Sequence, residues 1–140
     1  NTVVQDNLIE IVASSEVDDG DAVTVLAKVE SLNAEALHIV LEAPDKAVSD
    51  LAMFNGEATS NFEIDNFTMD TDDGNAIIQP LTQLTIALVE GSGVRVFDKH
   101  GNVISADNIV IGTDIDVFGL AQPDLASVSK VKAAFVILDN

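Results

Sequence analysis

Apolar residues along this chain fall mostly at every second position, the spacing that turns one face of a β-strand into a core. Two stretches show it in the same way. Gly20-Asp21-Ala22-Val23-Thr24-Val25-Leu26-Ala27 and Gly112-Thr113-Asp114-Ile115-Asp116-Val117-Phe118-Gly119 both open on glycine and alternate β-branched residues. Both end on a tiny residue, with Leu26 and Phe118 in the same register. A second apolar run follows each copy: Ala36-Leu37-His38-Ile39-Val40-Leu41 after the first, Ala134-Phe135-Val136-Ile137-Leu138-Asp139 after the second. Strand–loop–strand, repeated, predicts a duplicated hairpin.

The rest of the chain fits around these copies. Val4, Leu8, Ile9, Ile11 and Val12 predict a strand over 1–13, bulged or bent where the alternation slips at Asp6-Asn7. Further strands are expected over 21–30, 36–42, 58–69, 77–78 and 84–89. Residues 94–97 and 103–104 form a hairpin whose turn uses Gly101 for a positive φ. The last strand is expected over 131–138, with 122–130 looping out before it. Pro44, then Ala47, Val48, Leu51 and Ala52 at helical spacing, with Asn55-Gly56 as a stop, predict one short helix over 45–53. Short strands at regular spacing imply a mainly β fold, a small antiparallel barrel or sandwich. It is read as a single domain over 1–140, divisible into half-units 1–69 and 76–140.

Composition narrows the partners. The chain has 140 residues, 47% of them hydrophobic, with six Phe and no Trp or Tyr, so its core is aliphatic. Its 24 acidic and 6 basic side chains give a net charge of −18. Such a surface repels nucleic-acid phosphates and anionic membranes, and favours solubility, divalent cations and basic partners. Cysteine is absent, which excludes disulfides and thiolate chemistry. No apolar run reaches the ~20 residues of a membrane helix. The chain opens on Asn1 rather than Met, and the expectation is a secreted, processed chain at the cell surface or outside the cell.

The pattern of Gly112, Ile115, Val117 and Gly119, followed by Lys132-Ala133-Ala134-Phe135-Val136-Ile137, resembles a family of exported bacterial domains of unknown function. Their repeats look like oligonucleotide/oligosaccharide-binding-type (OB-like) barrels. The resemblance is best over 83–139 and weaker over 17–42. It implies OB-like hairpin repeats, a cell-envelope or extracellular setting, and no catalytic residues.

Two acidic loops share Asp-Asp-Gly: Asp18, Asp19 and Asp21 around Gly20, and Asp70, Asp72 and Asp73 before Gly74. Clustered carboxylates at a flexible turn suit calcium, which takes six to eight oxygens. Neither loop has the full EF-hand spacing, and a plain β-turn uses the same residues for their backbone preferences. Both readings stand. His38 in an apolar run reads as a hydrogen-bonded core residue, and His100 as a solvated turn residue. There is no Gly-x-Ser-x-Gly elbow, no phosphate-binding loop and no aromatic platform beyond Phe, so no enzyme and no organic cofactor are expected. Asn66-Phe67-Thr68 is a formal glycosylation sequon.

Two functions fit. The first is a non-catalytic exported structural subunit that self-associates by β-strand pairing into a surface or extracellular polymer, with the strand in 1–13 leaving its own sheet for a neighbour's. The alternative is an accessory module binding a glycan, a basic peptide or a divalent cation, on a concave face built from 112–119 and the 94–104 hairpin.

Overall fold

A computed structural model describes residues 2–30, 33–42, 51–72, 78, 82–124 and 127–139, with backbone alone at 122–124 and 127–129. The chain is mainly β. Its strands are β1 (Val3–Gln5), β2 (Val23–Glu30), β3 (Asn33–Leu41), β4 (Leu51–Ala58), β5 (Asn66–Thr71), β6 (Gln83–Ala87), β7 (Arg95–Asp98), β8 (Val103–Ile104), β9 (Asp114–Asp124) and β10 (Ser127–Leu138). Strands β6, β5, β4, β9 and β10 lie side by side, and β10 pairs with β6 to close a five-stranded barrel. Five strands is the size of an OB-like barrel. Strands β1, β3 and β2 form a separate sheet in that order.

The barrel interior holds Phe54, Phe67, Met69, Leu84, Ile86, Ile115, Val117, Val131 and Val136. Each fully buried side chain of this kind stabilises the fold by roughly 1.5–3 kcal/mol. A second cluster joins the barrel's outer face to the small sheet, through Ile9, Val40, Leu51, Phe97, Phe118, Ala134 and Phe135. Gly56 stands where β4 crosses β5 most closely: a Cβ there would lie 1.9 Å from the Asp70 carbonyl oxygen. Only glycine fits that crossing.

The two Gly-led segments form equivalent hairpins. Val23↔Leu41, Thr24↔Val40, Val25↔Ile39 and Leu26↔His38 in β2–β3 match Ile115↔Leu138, Asp116↔Ile137, Val117↔Val136 and Phe118↔Phe135 in β9–β10. Each hairpin is then interrupted by one extra residue in its second strand, Leu37 or Ala134, a β-bulge at the same rung. Beyond it Ala27↔Ala36 matches Gly119↔Ala133, one residue off the register suggested by the two apolar runs. Gly20 and Gly112 both take a positive φ, +93° and +89°.

The equivalence reaches further back in the chain. β1 lies parallel to β3 as β7 lies parallel to β10, with Val4↔Ile39 matching Val136↔Val96. The Asp6 carboxylate accepts the N–H groups of Leu8 and Glu10, and the Asp98 carboxylate accepts those of His100 and Asn102. Each turn leads to a 3-10 turn, Ser14–Glu16 or Ala106–Asn108. Residues 3–42 and 95–139 are therefore two copies of one unit, and β4–β6 lie between them in the chain.

Several expected elements differ. Residues 1–13 are not one strand: Asp6 closes a tight turn and Ile11 returns to bridge Gln5. Of the helix expected over 45–53, residues 45–50 lie outside those described, while Leu51, Ala52 and Met53 open β4, where their pairing with β9 outweighs the helical spacing. The strand expected over 58–69 is cut by a turn around Glu63–Asn66. Residues 122–124 and 127–130 extend the β9–β10 ladder instead of looping out. Ile77 of the strand expected over 77–78 lies outside the described residues.

Ile64 sits at φ 63° with 97% of its surface exposed, a left-handed conformation that burial does not offset. Ile64→Gly should raise stability by about 1 kcal/mol, read as a higher urea midpoint. An unchanged or lower midpoint would contradict the strain at this turn.

Candidate functional site: an open half-barrel

In the second unit both faces of the hairpin are covered. One face of β9–β10 looks into the barrel, where Ile115, Val117 and Ala121 are 1%, 0% and 4% exposed. The other packs against the first unit through Phe118 and Phe135. In the first unit, among the described residues, only the second kind of contact is made. Leu26, Leu37 and Val40 pack against the barrel's outer face, and His38 meets its structural equivalent Phe135, ring centroids 5.4 Å apart. The two units thus lie back to back.

The face of β2–β3 that corresponds to the barrel interior is exposed along β2 and half-buried at Ala36, Ile39 and Leu41 of β3. Val23, Val25 and Val29, the equivalents of Ile115, Val117 and Ala121, are 37%, 46% and 70% exposed. Ala34, Ala36, Ile39 and Leu41 complete the face across the rungs, without a charged group among them. Among the described residues β2 has a strand neighbour on one side only, and the Asn33–Glu35 end of β3 pairs with β2 alone. The matching edges in the second unit are occupied by β4 along β9 and by β6 along Lys130–Lys132. Among the described residues the first unit is a barrel with three strands left out.

Two polar features border this unit. His38 is fully buried, where Phe135 stands in the other copy. The Gln5 amide donates to the Ser92 carbonyl oxygen at 2.7 Å, which leaves the Gln5 Oε1 to accept from His38 Nε2 at 2.6 Å. His38 Nδ1 then carries no proton, and it has no partner among the described residues. Burial, and secondarily the Arg95 charge, lowers the His38 pKa to about 4. The Arg95 guanidinium bonds the Leu37 carbonyl oxygen and lies over the Phe97 ring. Leu26, Leu37, Phe97 and Ile137 floor a groove of about 460 Å³, rimmed by Lys28, Lys99 and His100 and by Glu30 and Asp98. Lys28 pairs with Glu30 at 3.2 Å across the rim.

The expected calcium ligands are dispersed. The Asp21 carboxylate accepts the Asp18 N–H at 2.7 Å, closing a turn in which Asp19 is exposed. Asp70 lies within β5, Asp72 just beyond it, and Asp73 is outside the described residues. Among the described residues no three carboxylate or imidazole groups meet as metal ligands. Asp72 and Asp114 instead act through their charge on Asp116, whose carboxyl is raised to about 6 by burial first, then by the hydrogen bond and charge of Asp139. The sequence reading missed this grouping, because residues from three separated stretches meet only through the sheet. The valines of β2 were visible as alternate apolar positions, but only their buried equivalents in β9 reveal that they are uncovered.

Among the described residues no helix is long and apolar enough to cross a membrane. Comparison with protein-family models, with curated proteins and with solved structures finds no match.

His38 and Asp116 pull stability in opposite directions with pH. His38, depressed below its unfolded value of 6.5, costs the fold stability as pH falls from about 6.5 to 4. Asp116, raised from 3.8 to about 6, adds stability over nearly the same descent and withdraws it as pH rises. Asp116→Asn should therefore be more stable than the native chain at pH 7.5, with the difference closing by pH 4, measured by urea unfolding. A variant less stable at pH 7.5, or a difference independent of pH, would contradict the assignment.

Proposed function

We propose that this protein is a non-catalytic structural subunit, exported to the cell surface or the extracellular space, that self-associates through β-strand pairing. The observation that carries the reading is the open half-barrel: a long edge, β2, unpaired among the described residues, beside an apolar face whose counterpart in the same chain is buried. Natural sheets protect such edges with charges, bulges or cover, because an exposed apolar edge pairs with another chain. Here Lys28 and Glu30 charge one end of β2, and its outer face carries only Val and Ala. The resemblance to exported bacterial domains and the acidic, cysteine-free composition support the setting. The acidic surface also limits lateral clumping, so that association is confined to the one uncharged face.

The edge that supports this reading is β2, not the amino-terminal strand. β1 is held in its own sheet by the Gln5–His38 bond, and Ile9 beside it is fully buried. Removing 1–13 would strip the core between the units instead of freeing a donor strand.

A second reading, a binding module, draws on the groove beside Phe97. Its rim sets Lys28 and Lys99 beside Glu30 and Asp98, a mixed set of charges, so the alternative stays a glycan, a basic peptide or a divalent cation.

Sedimentation velocity tests the first reading. The chain should associate with rising concentration, and Val25→Lys with Val29→Lys should return it to a monomer without loss of fold. Both side chains are exposed, so the substitutions cost little in the free chain. A native chain that stays monomeric at millimolar concentration would defeat self-association.

A further inference from the structure

We propose that the open half-barrel of residues 3–42 is the seat of a three-stranded β-meander of the β4–β6 kind, contributed by a neighbouring repeat of the same unit. This rests on the strand-pairing reading above and names the occupant of that site.

The second unit shows what the seat accepts. β4 runs antiparallel to β9, with Ala52↔Gly119, Phe54↔Val117 and Gly56↔Ile115. β6 runs parallel to the start of β10, with Thr85↔Lys130 and Ala87↔Lys132. β5 bridges the two. Carried to the first unit by the shared ladder, a β4-like strand would pair along Val23–Lys28, and a β6-like strand along Asn33–Glu35. Those are the two stretches of edge left unpaired among the described residues. The bulge at Leu37 divides β3 as Ala134 divides β10, so that the rest of each strand turns to its own parallel neighbour, β1 or β7.

The lining matches in volume as well as in register. The rung Val29↔Ala34 corresponds to Ala121↔Val131, with large and small exchanged and the total kept. Val25↔Ile39 stands for Val117↔Val136, and Val23↔Leu41 for Ile115↔Leu138. Volume-conserving exchanges of this kind preserve a core. A meander presenting the equivalents of Phe54, Phe67, Met69, Leu84 and Ile86 would therefore meet a wall much like the one it meets in the second unit. A lone added strand would cover the β2 edge but leave the Asn33–Glu35 edge and much of the apolar face wet, which is why the occupant is the whole meander. The described residues of one chain hold two such seats and one meander, so exchange between identical chains cannot fill both.

The test is a chain in which a second copy of residues 43–92 is joined ahead of residue 1. That placement is the natural one, because Val3 stands in the first unit where Arg95, shortly after the meander, stands in the second. The fused chain should melt about 5 °C or more above the native one and lose most of its binding of the apolar dye 1-anilinonaphthalene-8-sulfonate. Its amides at 23–30 and 33–35 should gain at least about a hundredfold protection from exchange. Val25→Lys gives the decisive comparison. In the native chain it should shift the midpoint by no more than about 2 °C, and in the fused chain by about 10 °C, because there the lysine is enclosed. A fused chain whose β2 amides stay unprotected, or in which Val25→Lys costs no more than in the native chain, overturns the proposal. A native chain that stays monomeric sinks self-association alone, and these two outcomes do not depend on it.

Discussion

The two equivalent hairpins, β2–β3 and β9–β10, are largely apolar on both faces, and a two-faced apolar hairpin needs two partners. That constraint organises the molecule. The Ala36–Leu41 and Ala133–Leu138 runs carry almost no polar residue, the mark of strands covered on both sides. Back-to-back packing of the two units satisfies one face of each, through Phe118, Phe135, Leu26 and Val40. The barrel satisfies the other face of the second unit. Nothing among the described residues satisfies the other face of the first.

The duplicated unit explains details that would otherwise look arbitrary. Ile9 takes φ 60° where the other copy has Gly101 at φ 82°, so the turn geometry was kept after glycine's freedom was absent. Complete burial of Ile9 between the units offsets that strain. Phe97 and Phe135 of one copy are replaced by Gln5 and His38 in the other. The polar pair is buried, and it is held by one hydrogen bond between the two side chains and another to Ser92. A neutral His38 suits that site, and protonating it would place a second positive charge near Arg95.

Much of the fold was legible in the sequence, for a physical reason. Period-two alternation reports directly on strands, and both Gly-led copies are strands, β2 and β9. The 98–102 turn was legible from Gly101, which takes the expected positive φ. Elements decided by partners were not. Leu51–Met53 sit at helical spacing yet pair with β9, and the return of Ile11 onto Gln5 depends on a carboxylate turn at Asp6. The one-residue offset of the second runs was hidden because a bulge leaves no signature in apolar residues. Of the candidate site, the sequence offered the valines of β2 but no sign that they were uncovered. Exposure is a property of what is missing beside them. The acidic residues misled in the opposite sense, since carboxylates close in sequence, such as Asp18 and Asp21, make turns, whereas Asp72, Asp114, Asp116 and Asp139 meet across the sheet.

Hydrogen exchange at low protein concentration compares the two hairpins most directly, because each amide of β2 has a counterpart in β9. If the units share one build and only the second is closed, β9 amides should be protected throughout Ile115–Ala121, while alternate amides of Val23–Val29 exchange freely along the outer edge. Equal protection along both strands would mean that the first unit is already covered, and the open half-barrel would not exist.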